Sequence, residues 1–234
     1  MSKRNFSILA ITVLLSCNQS SQRESGSGSS DSETNPIDNL NIQTYSFTEV
    51  DSSGIILFPL SMGETKRNGG SLSYKDIPDY SHWNIIFFNT KTDEYHLLTD
   101  RKMLIRSYEL KSNDETVYHH IFYRVTSFDN NKDKLLTTDD PEYLFISDRT
   151  GKNFRQISPE EYSLINWEFI QSSNKVLMAV KKDSDKNNKF DDADEITTFE
   201  IDVEKDSLPR QVFPGDLKDK LKTLYDRDWK RLKK

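Results

Sequence analysis

His120 to Pro159 reads HIFYRVTSFDNNKDKLLTTDDPEYLFISDRTGKNFRQISP, and Val176 to Pro214 reads VLMAVKKDSDKNNKFDDADEITTFEIDVEKDSLPRQVFP. The two run in parallel. Asp129 matches Asp183, Asp133 matches Asn187, Asp140 matches Asp194 and Asp148 matches Asp202, each pair 54 positions apart. With one residue added, Arg155-Gln156-Ile157 matches Arg210-Gln211-Val212. A fainter copy, IIFFNTKTDEYHLLT from Ile85 to Thr99, places Asn89 where the others have Asp148 and Leu98 where they have Ile157. A period of this length is the mark of solenoids and propellers.

Each copy holds apolar, β-branched and aromatic runs separated by polar turn residues, the pattern of short strands. The third copy predicts strands at Ile165 to Ile170, Val176 to Lys182, Glu195 to Asp202 and Arg210 to Phe213. The second predicts Met103 to Leu110, Val117 to Ser127, Glu142 to Asp148 and Phe154 to Ile157. The first predicts Ile42 to Glu49, Ile55 to Leu60, Asn84 to Asn89 and Tyr95 to Leu98. Successive strands joined by short turns form an antiparallel meander, the blade of a propeller. After the repeats, Asp216 to Lys234 spaces Leu217, Leu221, Leu224, Tyr225, Trp229 and Leu232 at a helical period, with Asp216 as N-cap. The expected fold is therefore all-β: three four-stranded antiparallel propeller-like blades with a C-terminal amphipathic helix.

Leu144 to Ser158, LFISDRTGKNFRQIS, resembles the repeat of TolB-like (PD40, WD40-like) β-propellers, where a strand ending in Asp, a Gly-containing turn and a short strand ending in a small hydroxyl residue recur. The third copy departs from it, with Leu208-Pro209 in place of the turn glycine. Closed propellers have 4 to 8 blades. Three copies imply either an open stack whose free face or edge the helix covers, or a six-bladed ring of two protomers. The expectation is a monomer covered by its own helix, with a dimer as the alternative.

The stretch DSDKNNKFDDADE, Asp183 to Glu195, joins two predicted strands and carries six carboxylates. Counting Asp183 as position 1, oxygen ligands fall at Asp185, Asn187, the Lys189 carbonyl, Asp191 and Asp194. The upstream loop repeats the register with Asp129, Asn131, Asp133, the Leu135 carbonyl, Thr137 and Asp140. The pattern resembles the calcium loop of EF-hand proteins, in which hard oxygen ligands at alternating positions wrap the cation. It differs in having Asn188 or Lys134 instead of Gly at position 6 and Asp instead of Glu at position 12, and its flanks are strands. A structural Ca2+ at either loop is the reading, weighed against a solvated Asp/Asn turn.

At the start, Lys3 and Arg4 precede the apolar run Phe6 to Leu15, which is too short for a bilayer span of about 20 residues and has the anatomy of a cleaved export signal. Leu14-Leu15-Ser16-Cys17 resembles the lipobox of bacterial lipoproteins. That resemblance implies cleavage before Cys17, the chain's single cysteine, and its acylation. Asn18 to Pro36 is Ser-rich, without a large apolar residue, and reads as a flexible tether. The domain plan is thus residues 1–16 as signal peptide, 17–36 as lipidated cysteine and tether, 37–214 as the repeat domain and 215–234 as the helix. The same lipoprotein resemblance implies the outer over the inner membrane, because Asn18 is not the aspartate that resembles an inner-membrane retention signal.

The chain carries 32 basic and 38 acidic residues for a net charge of −6, which disfavours a nucleic-acid partner, since that affinity rests on phosphate neutralisation. No HExxH, G-x-S-x-G or P-loop occurs, and Gly69-Gly70 lacks the strand-to-helix setting of a phosphate cradle. His119 and His120 are adjacent in a predicted strand and so point to opposite faces. Carboxylate pairs such as Glu160-Glu161 and Asp139-Asp140 carry no catalytic signature. The leading expectation is a lipid-anchored cell-envelope binding or scaffolding lipoprotein, stabilised by calcium, with the membrane and an envelope protein as partners. The alternative is an extracytoplasmic hydrolase or carbohydrate-processing protein on a propeller scaffold.

Overall fold

The computed structural model describes residues 42, 44, 46–61, 81–111, 117–205 and 207–231. The signal, Cys17 and the tether lie outside them, as does Gly69-Gly70. The chain is mostly strand, arranged as two antiparallel sheets followed by one helix.

The first sheet contains β1 (Thr48–Val50), β2 (Ile55–Ser61), β3 (His82–Asn89), β4 (Glu94–Leu97), β5 (Leu104–Lys111), β6 (Val117–Thr126), β7 (Tyr143–Asp148) and β8 (Arg155–Gln156). Its order is β1-β2-β3-β5-β6-β7-β8, with β4 also paired to β3. β1 to β4 pair in sequence order, as do β5 to β8. One residue pair, His82 with Ile105, joins the two runs into a single sheet. The second sheet is β9 (Tyr162–Ile170), β10 (Lys175–Lys182), β11 (Glu195–Asp202) and β12 (Arg210–Gln211), again in sequence order. Each strand overlaps its predicted span, though β1 shares only Thr48 and Glu49 with the predicted Ile42 to Glu49, whose earlier described residues are not strand, and every pairing but one is a neighbour in sequence.

Alternation along the strands decides how these meanders stack. Ile121, Tyr123, Val125, Tyr143 and Phe145 of the second meander share one core with Val50, Leu57, Ile85 and Phe87 of the first. Their alternates Phe122, Leu144 and Ile146 share another core with Val176, Met178 and Ile201 of the third. The middle meander is therefore buried on both faces, and β7 has five successive buried residues. Each such Leu, Ile or Phe contributes about 1.5–3 kcal/mol by leaving water. This is the strand pattern of a layer with neighbours on both sides.

The corresponding hairpins are superposable in their bonding. The Leu98 N–H donates to Ile85, the Ile157 N–H to Leu144 and the Val212 N–H to Thr198, at 2.8, 2.8 and 2.9 Å. At the preceding turn, Asn89, Asp148 and Asp202 each accept the N–H two residues on through Oδ1. The sequence match of Asn89 with Asp148 and Asp202 is thus a match of turn geometry.

Helix α1 (Gly215–Asp228) corrects two expectations. Its N-cap is Pro214, with no side-chain cap, and Asp216 lies in the first turn, where its charge suits the helix dipole. Nor is its apolar stripe buried on its own domain: Lys218 pairs with Glu195 of β11, but none of the helix residues is buried, and Leu221, Tyr225 and Trp229 are 55%, 61% and 73% exposed. Three residues separate it from β12, too few to turn its stripe back onto a core already filled by the three meanders.

Candidate functional site

Both acidic loops fold the same way, bond for bond. Asp183 accepts the N–H groups of Asn187 and Asn188 on its two oxygens, and Asp129 accepts those of Asp133 and Lys134. Asp194 accepts Ser184 and Asp191, and Asp140 accepts Asn130 and Thr137. Asn187 accepts Lys189, and Asp133 accepts Leu135. Lys132 and Lys186 have φ of 62° and 61°, Lys134 and Asn188 of 73° and 62°. Left-handed backbone at non-glycine residues is costly, and the local side-chain bonds of each Asp and Asn hold it there.

What distinguishes the loops is charge. Asp183, Asp185 and Asp194 bring a carboxylate oxygen each within 4.8 Å of one another, with Asp185 exposed and Asp194 buried. Every oxygen of the three accepts one N–H, which leaves further lone-pair directions free. Lys181 and Lys182 pair elsewhere, with Asp192 at 3.8 Å and Glu161 at 3.9 Å. Among the described residues none of the three aspartates has a Lys or Arg partner. Three clustered anions with all-oxygen donors fit a hard divalent cation such as Ca2+. Of the other residues in that predicted set, Asn187 accepts from Lys189, and Asp191 accepts the Ala193 N–H and stands outside the cluster.

In the upstream loop the acid and the amide change places, Asn131 standing for Asp185 and Asp133 for Asn187, and among the described residues Asp129, Asp133 and Asp140 do not gather as those three do. The protein supplies cations of its own instead. Arg106 donates to the carbonyls of Thr137 at 3.0 Å and Asp140 at 3.5 Å, and Lys102 donates to the Lys134 carbonyl at 3.1 Å. The Thr137 hydroxyl accepts the Asp139 N–H. Asp129, Asn131, Asp133, Leu135, Thr137 and Asp140 thus keep the loop shape without the anion cluster.

Arg106 belongs to a group the sequence did not single out. Glu142, 6% exposed, lies between Arg106, at 3.3 Å, and Arg124, whose Nε donates to it. Arg124 also reaches the Ile165 carbonyl at 3.3 Å, linking the second meander to the third. These three line a polar cleft of about 640 Å³ that Asn131, Asn187, Asn188 and Phe190 complete. A second cleft of about 510 Å³ lies beyond Phe190, lined by Phe128, Tyr143, Glu160, Glu161 and Asp183. Tyr143 is pushed up to about 12 by burial, then by the charges of Glu160 and Asp140. Arginine in the run HHIFYRV was the one available signal. A charge amid apolar alternation asks for a buried partner, but the partner's place depends on which strands pair.

Asp148, the repeated turn aspartate, is held below the usual carboxylate range. Burial alone would raise it, but the Thr150 hydroxyl, the Thr150 and Lys152 N–H groups and the Asn153 amide all bond the charged form.

Compared with known proteins, the chain matches no family model, and no curated protein matches it significantly.

Proposed function

We propose that this chain is a lipid-anchored binding or scaffolding lipoprotein of the bacterial outer membrane, built of three propeller-like blades, with Ca2+ as a structural ion at the Asp183 loop. The observation that carries the scaffold reading is the threefold repetition of one hairpin bond, from Leu98, Ile157 and Val212. Face-to-face burial of the middle meander supports it as well. The clefts flanking Phe190 suit a polar ligand or an extended loop of a partner protein, since they combine an aromatic ring with Asn, Arg and carboxylate groups. The ion's role is to offset the repulsion of Asp183, Asp185 and Asp194 and to stiffen the loop whose Asp183 and Phe190 line the clefts.

The alternative, a hydrolase or carbohydrate-processing protein, needs carboxylates free to exchange a proton or to attack. Asp140 is engaged by two backbone N–H groups and Glu142 by two guanidinium groups, so neither serves that role.

Fractionation of bacteria producing the full chain tests the anchor. The protein is expected in the membrane pellet and to incorporate a labelled fatty acid, and Cys17→Ser is expected to lose both. A soluble, unlabelled wild-type chain would remove the lipoprotein reading. A photoreactive side chain at position 190 is expected to yield one discrete protein adduct in intact cells. Its absence would remove the proposed partner at the clefts.

A further inference from the structure

Two apolar surfaces in this chain lack a cover among the described residues, and they are complementary. The first is the face of the first meander turned away from the core. Register places Ile56, Phe58, Ile86, Phe88, Tyr95 and Leu97 on it together, since Ile56 pairs with Phe88, Phe58 with Ile86, Phe88 with Tyr95 and Ile86 with Leu97. None of the six belongs to either core, and Tyr95 and Leu97 are 76% and 48% exposed. Phe47 extends the patch by packing on Phe58 at 5.6 Å. The second surface is the stripe of α1, from Leu221 to Trp229. A sheet face and an amphipathic helix are the two elements that bury one another in layered proteins.

We infer that the helix of one copy seats on the outer face of the first meander of a second copy, and reciprocally, giving a two-fold dimer. Charge complements shape. Six Lys or Arg stand against four Asp between Gly215 and Arg231, whereas the sheet face carries Glu49, in register with Ile56. The chain's own helix does not reach that face. It follows β12 in the third meander, and at about 10 Å per stacked sheet the outer face of the first lies beyond two layers. The linker Val212 to Pro214 spans about 10 Å at most. The helix, with 14 residues, is about 21 Å long. That matches the width of four strands at about 4.8 Å each.

The same register argues against a six-bladed ring, the head-to-tail assembly in which the first meander would pack on the third meander of another copy. The outward face of the second sheet carries Glu168, Asn166 and the Lys175–Glu200–Arg210 cluster, so the apolar face would be matched with paired charges. An isologous helix exchange avoids that mismatch.

The test uses the full chain in mild detergent with Cys17→Ser, which removes the sole cysteine. Tyr95→Cys and Tyr225→Cys, both at exposed positions, are introduced separately and together. A mixture of the two single variants is expected to form a disulfide-linked dimer at least tenfold more than either alone, and the doubly substituted chain to link between copies. An additional Tyr225→Asp chain is expected to sediment as a monomer while keeping its circular dichroism. An internal disulfide within one doubly substituted chain would overturn the exchange by showing the chain's own helix on the face. A mixture that does not link would overturn it too, including where a lipid-phase probe labels position 225 instead. The outcome is independent of the lipid anchor, which Cys17→Ser removes in every arm.

Discussion

The side-chain amide of Asn130 donates a 3.0 Å hydrogen bond to the carbonyl oxygen of Asn188, tying one acidic loop to its repeat 58 positions on. The loops exchange an acid and an amide, Asp185 against Asn131 and Asn187 against Asp133, so single substitutions remove the carboxylate at the third loop position from one and add it to the other. Calcium at about 10 mM is expected to stabilise the wild-type chain by about 1.4–2.7 kcal/mol if the site binds at 10⁻⁴–10⁻³ M, read as a rise in melting temperature that a chelator reverses. Asp185→Asn keeps an oxygen for the Asn187 N–H and is expected to abolish the rise, whereas Asn131→Asp is expected to enlarge it. A wild-type melt indifferent to calcium would end the metal assignment.

Gly151 links the second meander to the first through contact with Phe87. Its φ is +80°, and an added Cβ would come within 2.4 Å of the Phe87 ring, which is itself buried. Gly151→Ala is expected to cost about 2–4 kcal/mol, from left-handed strain and overpacking together. The urea midpoint measures it. Adding Phe87→Leu relieves the clash but not the strain, so the double substitution is expected to lose less than the sum.

His82 forms the one register pair between β3 and β5, and burial holds its imidazole below the ordinary 6.5. A histidine depressed in the folded state is more readily protonated when unfolded, so its contribution is complete above pH 6.5 and declines as pH falls toward its folded value. Urea midpoints taken from pH 7.5 to 5 are expected to fall, and His82→Phe, which keeps the ring beside Tyr108, is expected to flatten the trend. Asp148 is depressed as well, but its loss comes below the ordinary carboxylate value of 3.8, outside that window.

Glu142→Gln tests the arginine pair. It removes the charge between two guanidinium groups of 18% and 30% side-chain exposure while keeping volume. Breaking a fully buried pair costs about 3–5 kcal/mol, and water access to both arginines lowers the expectation to about 2 kcal/mol. Denaturant unfolding reads the cost. A neutral outcome would show that the arginines are solvated independently of Glu142.

Much of this architecture was legible because its determinants are local. The turn bonds of Asp148, Asp183 and Asp129 connect residues at most five apart, so their signature survives in a linear repeat. Strand alternation did the same for the hairpins, and β10 reads KVLMAVKK with every second residue buried from Val176 to Val180. Contacts with distant chain were not legible. Arg149 bonds the carbonyls of Leu110 and His120 and pairs with Asp51, 98 residues away, and nothing in DRTG announces that. The N-cap at Pro214 in place of Asp216 is a boundary slip of two residues, of the size that fraying and capping ordinarily produce.

By itself the amino-acid order determined the hairpin unit, its repetition and the shape of the acidic loops, since backbone N–H groups and nearby Asp or Asn oxygens find each other without help from the rest of the molecule. Only the tertiary structure decided which strand faces became interior, that Glu142 lies between two arginines, that three carboxylates gather in one loop and not the other, and that α1 and the outer face of the first meander have no cover among the described residues. Those outcomes follow from how layers stack. An apolar stripe states that it needs burial, and it is the geometry of the whole chain that supplies a partner or leaves the stripe without one.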